Sequence, residues 1–284
     1  MAEFTNQAIL RYNNTVTNSN IVVGNIVQSL EISKTAVRTE YSADGDTTFV
    51  ISLTNSGTTA YTGLTVTDNL GAYVWNETVL VPLAYIDGSL KYYINGVLQP
   101  DIEPTVGNSL IITGVNVPAN GNTTLIYEVS PNSYAPLDAN GAITNTATAD
   151  GAGLAEPVAA DEVITPVSGV QLSISKAISP ATVTANGQVT YTFVIQNTGN
   201  APADAALGAI VEDVFDPVLR NLTASYNGQT LTPGTDYTYD QTTGKFATTP
   251  GTITVAAAQY TRDEATGAII TTPSVGTLTV TGNI

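Results

Sequence analysis

LEISKTAVRTEYSADGDTTFVISLTNSG, residues 30–57, aligns without gaps on LSISKAISPATVTANGQVTYTFVIQNTG, residues 172–199. Lys34 falls on Lys176 and Asn55 on Asn197, so the two ends of the match share one register. The chain therefore carries two copies of one domain. Within each copy apolar and polar residues alternate with period two, the mark of a half-buried strand. Strands are expected at 30–34 and 48–53, and at 190–195 in the second copy, with an Ala-Asp-Gly or Ala-Asn-Gly turn before the last two.

Working outward, an Asn-Ser-Gly or Asn-Thr-Gly turn leads into GLTVTDNL (63–70), matched by GAIVEDVF (208–215) after a three-residue insertion. Further strands are expected at 90–95, 109–115 and 123–129. Seven or so short strands separated by turn signals predict an all-β chain of two tandem immunoglobulin-like β-sandwich modules. The expected divisions are an arm at 1–29, a first module at 30–168 and a second at 169–284.

The ends of the two copies differ. Copy one closes in GAITNTATAD (141–150), followed by an extended joining piece at 157–167, whereas GTLTVTGNI (276–284) aligns on the next-to-last strand of copy one. The second module is therefore expected to lack its last strand. A matching phrase stands at the other end: FTNQA (4–8) repeats ITNTA (143–147), and residues 20–34 run into copy one much as 161–176 run into copy two. Phe4, Thr5, Asn6, Gln7, Ala8, Ile9 and Leu10 are thus read as a donor strand. It either folds onto its own second module or completes that of a neighbouring chain. The latter is β-strand addition, and a head-to-tail contact of this kind builds an open filament.

Composition removes many functions. Of 284 residues, 8 are basic and 24 acidic, a net charge of −16 that repels nucleic acid and anionic lipid. Cys and His are both absent, which removes disulfides, thiolate nucleophiles and histidine-based metal sites and triads. Neither a basic-then-apolar leader nor a run of about 18 apolar residues is visible, so release by mother-cell lysis or a non-standard route is expected. Asp44-Gly45-Asp46 and the Asp213/Asp216 pair lack calcium-loop spacing and read as turns. No metal or cofactor is expected. Trp75, Tyr92 and Tyr93 read as packing residues rather than a binding face.

Polar residues recurring at core positions carry the chemistry. Lys34 and Lys176 occupy one repeat position on the first strand, and Asp68 is matched by Asp213 and Asn145 by Asn6. A buried lysine is costly unless paired. Lysine, carboxylic acid and asparagine carboxamide are the groups needed for an isopeptide bond, formed by amine attack on the carboxamide with loss of ammonia. The expected pairs are Lys34–Asn145 within a chain and Lys176–Asn6 between chains, with Asp68 and Asp213 as the promoting acids. A buried Lys–Asp ion pair capped by the amide needs the same residues and no reaction. Any catalysis is single-turnover. A carbohydrate-active hydrolase would need two carboxylates in one cleft, and Asp68 and Asp213 lie in separate modules.

The SK of the first strand, TNSG or QNTG at the turn, VTDNL and the closing ITNTATA together resemble the large Gram-positive surface repeat family of unknown function, number eleven. That resemblance implies immunoglobulin-like modules that build stalks, fibres and adhesins. Signal-less two-module chains of this kind also resemble subunits of clostridial endospore appendages. The expected function is a structural subunit of a self-associating surface filament; the alternative is a monomeric adhesin or ligand-binding module.

Overall fold

The computed structural model describes residues 2–26 and 29–284. Among them the regular structure is β-strand throughout, apart from a 3-10 turn at Ala205–Leu207. The chain divides into two compact units, Met1–Pro136 with Ala142–Thr165, and Leu137–Gly141 with Pro166–Ile284.

In the first module, one sheet runs Val97–Leu98, Lys91–Ile94, Gly121–Pro131, Thr47–Asn55, Leu30–Ala36, with Leu83–Tyr85 also on Gly121–Pro131. The facing sheet runs Thr105–Val106, Leu110–Val117, Tyr61–Asp68, Ile143–Asp150, Val158–Pro166, Glu40–Tyr41. Alternation along Thr47–Asn55 sends Phe49, Ile51 and Leu53 inward, where they are fully buried; Leu64, Val66, Leu110 and Ile112 meet them from the other sheet.

The second module repeats this plan in part. Leu172–Ser179 pairs with Gln188–Asn197, which pairs with Ser274–Asn283, and Arg220–Tyr226 and Gln229–Thr230 follow. Its facing sheet has three strands, Glu212–Val214, Lys245–Thr248 and Tyr237–Tyr239. The strand expected over 208–215 is shortened to Glu212–Val214. In module one Tyr61–Asp68 is hydrogen-bonded on both sides, by Leu110–Val117 and Ile143–Asp150. Here only Lys245–Thr248 pairs with the strand among the described residues. The segment before it turns instead at Ala205–Leu207, where Asp204 Oδ1 accepts from the Ala206 and Leu207 N–H groups at 3.0 and 3.2 Å.

The repeated asparagine of the TNSG and QNTG turns ties each module internally. Asn55 Nδ2 donates to the Thr59 and Pro118 carbonyls and its Oδ1 accepts from Gly57 N–H. Asn197 does the same with the Ala201 and Ala256 carbonyls and Gly199 N–H, and adds Gln171 N–H. Both are buried. Asn197→Ala strands two carbonyls and two amides inside the turn, and is expected to cost about 3 kcal/mol in urea unfolding of module two. A loss below about 1 kcal/mol would show that water replaces the amide there.

The arm is a hairpin. Ala2–Asn6 pairs antiparallel with Val22–Ile26, and Ile9–Tyr12 with Thr15–Asn18. Its tip is a two-residue turn, Asn13-Asn14, with φ of 41° and 58°, a left-handed conformation asparagine tolerates. The residues read as a donor strand are therefore already paired along one edge. Their side chains find little cover: Phe4, Ile9 and Leu10 are more than half exposed, as are Ile21, Val22 and Val23.

Candidate cross-linking site

Lys34 lies on Leu30–Ala36, Asp68 ends Tyr61–Asp68, and Asn145 lies on Ile143–Asp150. The sandwich brings all three into its interior. The side chains of Lys34 and Asp68 have no exposure, and Asn145 is fully buried. Lys34 Nζ donates to Asp68 Oδ2 and, at 2.7 Å, to the hydroxyl of Tyr127. That hydroxyl donates to the same Asp68 oxygen and accepts, at 3.5 Å, from Asn145 Nδ2. Tyr127 thus stands between amine, acid and carboxamide.

The turn after Asp68 fixes the other atoms. Leu70 and Gly71 have φ of 52° and 72°, which directs their N–H groups inward. Leu70 N–H donates to Asp68 Oδ1 at 2.9 Å and Gly71 N–H to Asn145 Oδ1 at 3.2 Å. Asn69 Oδ1 accepts from Gly71 N–H and from Thr146 N–H, holding the turn against the strand that carries Asn145. The carboxamide is therefore gripped at both ends: its oxygen faces a backbone donor and its nitrogen faces the tyrosine.

Burial lowers the Lys34 ammonium from its ordinary value, against the opposing pull of the Asp68 charge. The Phe49 and Tyr127 rings flank Nζ, with centroids at 4.6 and 5.4 Å. Burial, then Asp68, push the Tyr127 phenol well above its ordinary value, so it remains a proton donor.

Sequence reasoning brought Lys34, Asp68 and Asn145 together but missed Tyr127 and the Asn69-Leu70-Gly71 turn. Tyr127 shares the inward face of Gly121–Pro131 with Thr123, Leu125 and Val129, so its hydroxyl is a polar tip in an apolar layer. Residues 68–70 were read as the end of the GLTVTDNL segment, so neither the turn they make nor the strand it would face was named.

The second module holds the same pair in the open. Lys176 Nζ pairs with Asp213, yet the lysine side chain is 40% exposed and the aspartate 18%. Rings of Tyr191, Phe193 and Phe215 lie within 5.4 Å of the amine. Leu172, the counterpart of Leu30, is 39% exposed where Leu30 is 1%. Val280 pairs with Tyr191 where Tyr127 pairs with Phe49, so the tyrosine of the first site is valine in the second. Beside the pair, Leu172, Ile174, Ile195, Ile210, Val211 and Ile253 line a groove of about 160 Å³. Asn6 lies in the arm, paired with Val22. Trp75 is half-buried and Tyr92 buried, its hydroxyl bonded to the Asn116 backbone.

The fold and the two lysine–aspartate pairs define a tandem β-sandwich protein with one sealed and one open polar cluster. No family model and no curated protein matches the chain, so the surface-repeat resemblance rests on its motifs. Among solved structures the chain is similar to BcpA, the major pilin subunit of Bacillus cereus, at 12% identity and a TM-score of 0.38, covering 96% of this chain and 73% of that one. It is also similar to the pilus backbone RrgB of Streptococcus pneumoniae, at 11% identity and a TM-score of 0.34, covering 87% and 55%. A red sea bream transglutaminase gives 13% identity and a TM-score of 0.29, with 83% and 28% covered.

Proposed function

We propose that the chain is the subunit of a head-to-tail protein filament on a cell or spore surface. In it, the arm of one chain completes the second module of the next. One contrast carries this reading. The Lys–Asp pair of module one is sealed by Ile143–Asp150, whereas that of module two faces an edge with no paired strand among the described residues. Residues 4–8 repeat the sealing strand's Thr-Asn-x-Ala pattern and stand exposed. Inserted in register, Asn6 meets Lys176 and Asp213 as Asn145 meets Lys34 and Asp68.

The covalent step follows from the polar groups at the sealed site. Neutral Lys34 Nζ attacks Cγ of Asn145, and Gly71 N–H stabilises the charge that develops on Oδ1. Tyr127 and Asp68 carry the amine's proton to Nδ2, the Cγ–Nδ2 bond breaks, and ammonia leaves. The reaction runs once per site, as maturation rather than turnover.

Electron microscopy, denaturing gels and intact mass of the full chain test both parts. Fibres and boiling-resistant ladders are expected, with about 17 Da lost per bond as one ammonia. Asn6→Ala is expected to abolish the ladders. A uniformly monomeric protein of unmodified mass overturns the reading; fibres that boiling dissolves leave strand exchange without the intermolecular bond.

A further inference from the structure

The arm is built as a hairpin, and Glu212–Val214 is paired on one side only among the described residues. Module one shows what fills that place. Ile143–Asp150 pairs with Tyr61–Asp68 on one edge and with Val158–Pro166 on the other, and Val158–Pro166 in turn lies beside Glu40–Tyr41. Thr165 N–H donates to the Thr39 carbonyl at 2.9 Å, which closes that outer edge. Module two has neither strand in its three-stranded sheet among the described residues, and the counterpart of Glu40–Tyr41, Thr182-Val183, belongs to no strand.

The arm reproduces the pairing of the missing hairpin. Ile143 faces Ile164 and Asn145 faces Glu162 in module one; Phe4 faces Gly24 and Asn6 faces Val22 in the arm. The volumes compensate as well as the register. Two medium side chains, Ile143 and Ile164, are replaced by one large and one absent. The Phe4 ring lies over Gly24 so closely that a Cβ there would meet Cζ at 2.3 Å. Apolar exposure runs along both strands of the arm, with Phe4 at 56% and Val22 at 56%, and a lone donor strand would leave Val22 and Val23 uncovered.

We infer that the filament joint, as proposed above, is made by a two-stranded donor: residues 7–9, which continue Ala2–Asn6, pair with Glu212–Val214 of a second copy, and Val22–Ile26 takes the outer place beside residues 181–183. The hairpin keeps its internal hydrogen bonds as it docks, so the joint forms without opening a preformed ladder. It also leaves no unpaired donor edge on the inner strand, whose two edges are both used.

The chain contains no cysteine, so paired cysteines report the placement cleanly. Thr148 faces Thr67 in module one, which places Ile9 of one chain against Glu212 of the next; the Thr165–Thr39 hydrogen bond likewise places Asn25 against Ala181. The full chain is made as Ile9→Cys with Glu212→Cys and, separately, as Asn25→Cys with Ala181→Cys. Each is oxidised mildly, and intermolecular disulfides are read on non-reducing gels after reduction-sensitive controls. The hairpin predicts cross-linked multimers from both variants. Cross-linking by the first alone means a single donated strand, which overturns this inference and leaves the filament reading standing. Cross-linking by neither overturns both.

Discussion

Asp68→Ala is expected to destabilise the first module by about 3–5 kcal/mol, the cost of removing one partner from a fully buried ion pair. Lys34 would be left between the Phe49 and Tyr127 rings, with the Tyr127 hydroxyl as its remaining hydrogen-bond partner among the described residues, the more distant Glu162 charge, and no exposed atom on its side chain. Asp213→Ala should cost under about 1 kcal/mol, because the Lys176 side chain is already 40% exposed and its pair with Asp213 is screened by solvent. Urea unfolding of the two single variants measures both. Equal losses would show that the sealed and open environments do not differ energetically. Asp68→Ala should also keep the full ammonia mass, since the acid that moves the proton is gone.

Tyr127→Phe separates chemistry from packing. The ring stays against Phe49, at 5.9 Å between centroids, and the Lys34–Asp68 pair stays intact. The hydroxyl shared by amine, acid and carboxamide nitrogen is lost. Ammonia release followed by intact mass after refolding should slow by on the order of 10²-fold, with a stability cost of about 1–2 kcal/mol. Asn145→Ala should show no release at all. An unchanged rate in Tyr127→Phe would sink the relay role and leave Asp68 to act alone.

Much of this arrangement could be read from the chain. The repeat placed Lys34 opposite Lys176 and Asp68 opposite Asp213 because residue identity at a fixed register survives even where environments diverge. What the repeat could not give was the environment itself. Lys34 and Lys176 are equivalent in sequence, and their burial differs because the strand that covers the first belongs to module one and has no paired counterpart in module two among the described residues. Tyr127 was hidden for another reason: a tyrosine in an alternating strand reads as core, and its hydroxyl acquires meaning only once three distant segments converge on it. The arm was legible as strand but not as hairpin. The match at 4–8 is to a single strand, and its partner at 22–26 sits two residues closer to the following lysine than the corresponding residues of module one.

The Lys34 cluster also has a mechanical side. The polypeptide enters module one through Leu30–Ala36 and leaves it through Ile143–Asp150 and Val158–Pro166. Tension applied along the chain therefore arrives at the strand that holds the amine and, past Val158–Pro166, at the strand that holds the carboxamide. With a covalent tie between them, the load crosses the sandwich at that point, and every turn and loop from residue 35 to residue 144 is shunted out of the load path. Extension of such a module under force would stop at its first and last strands, with the whole intervening fold unstretched.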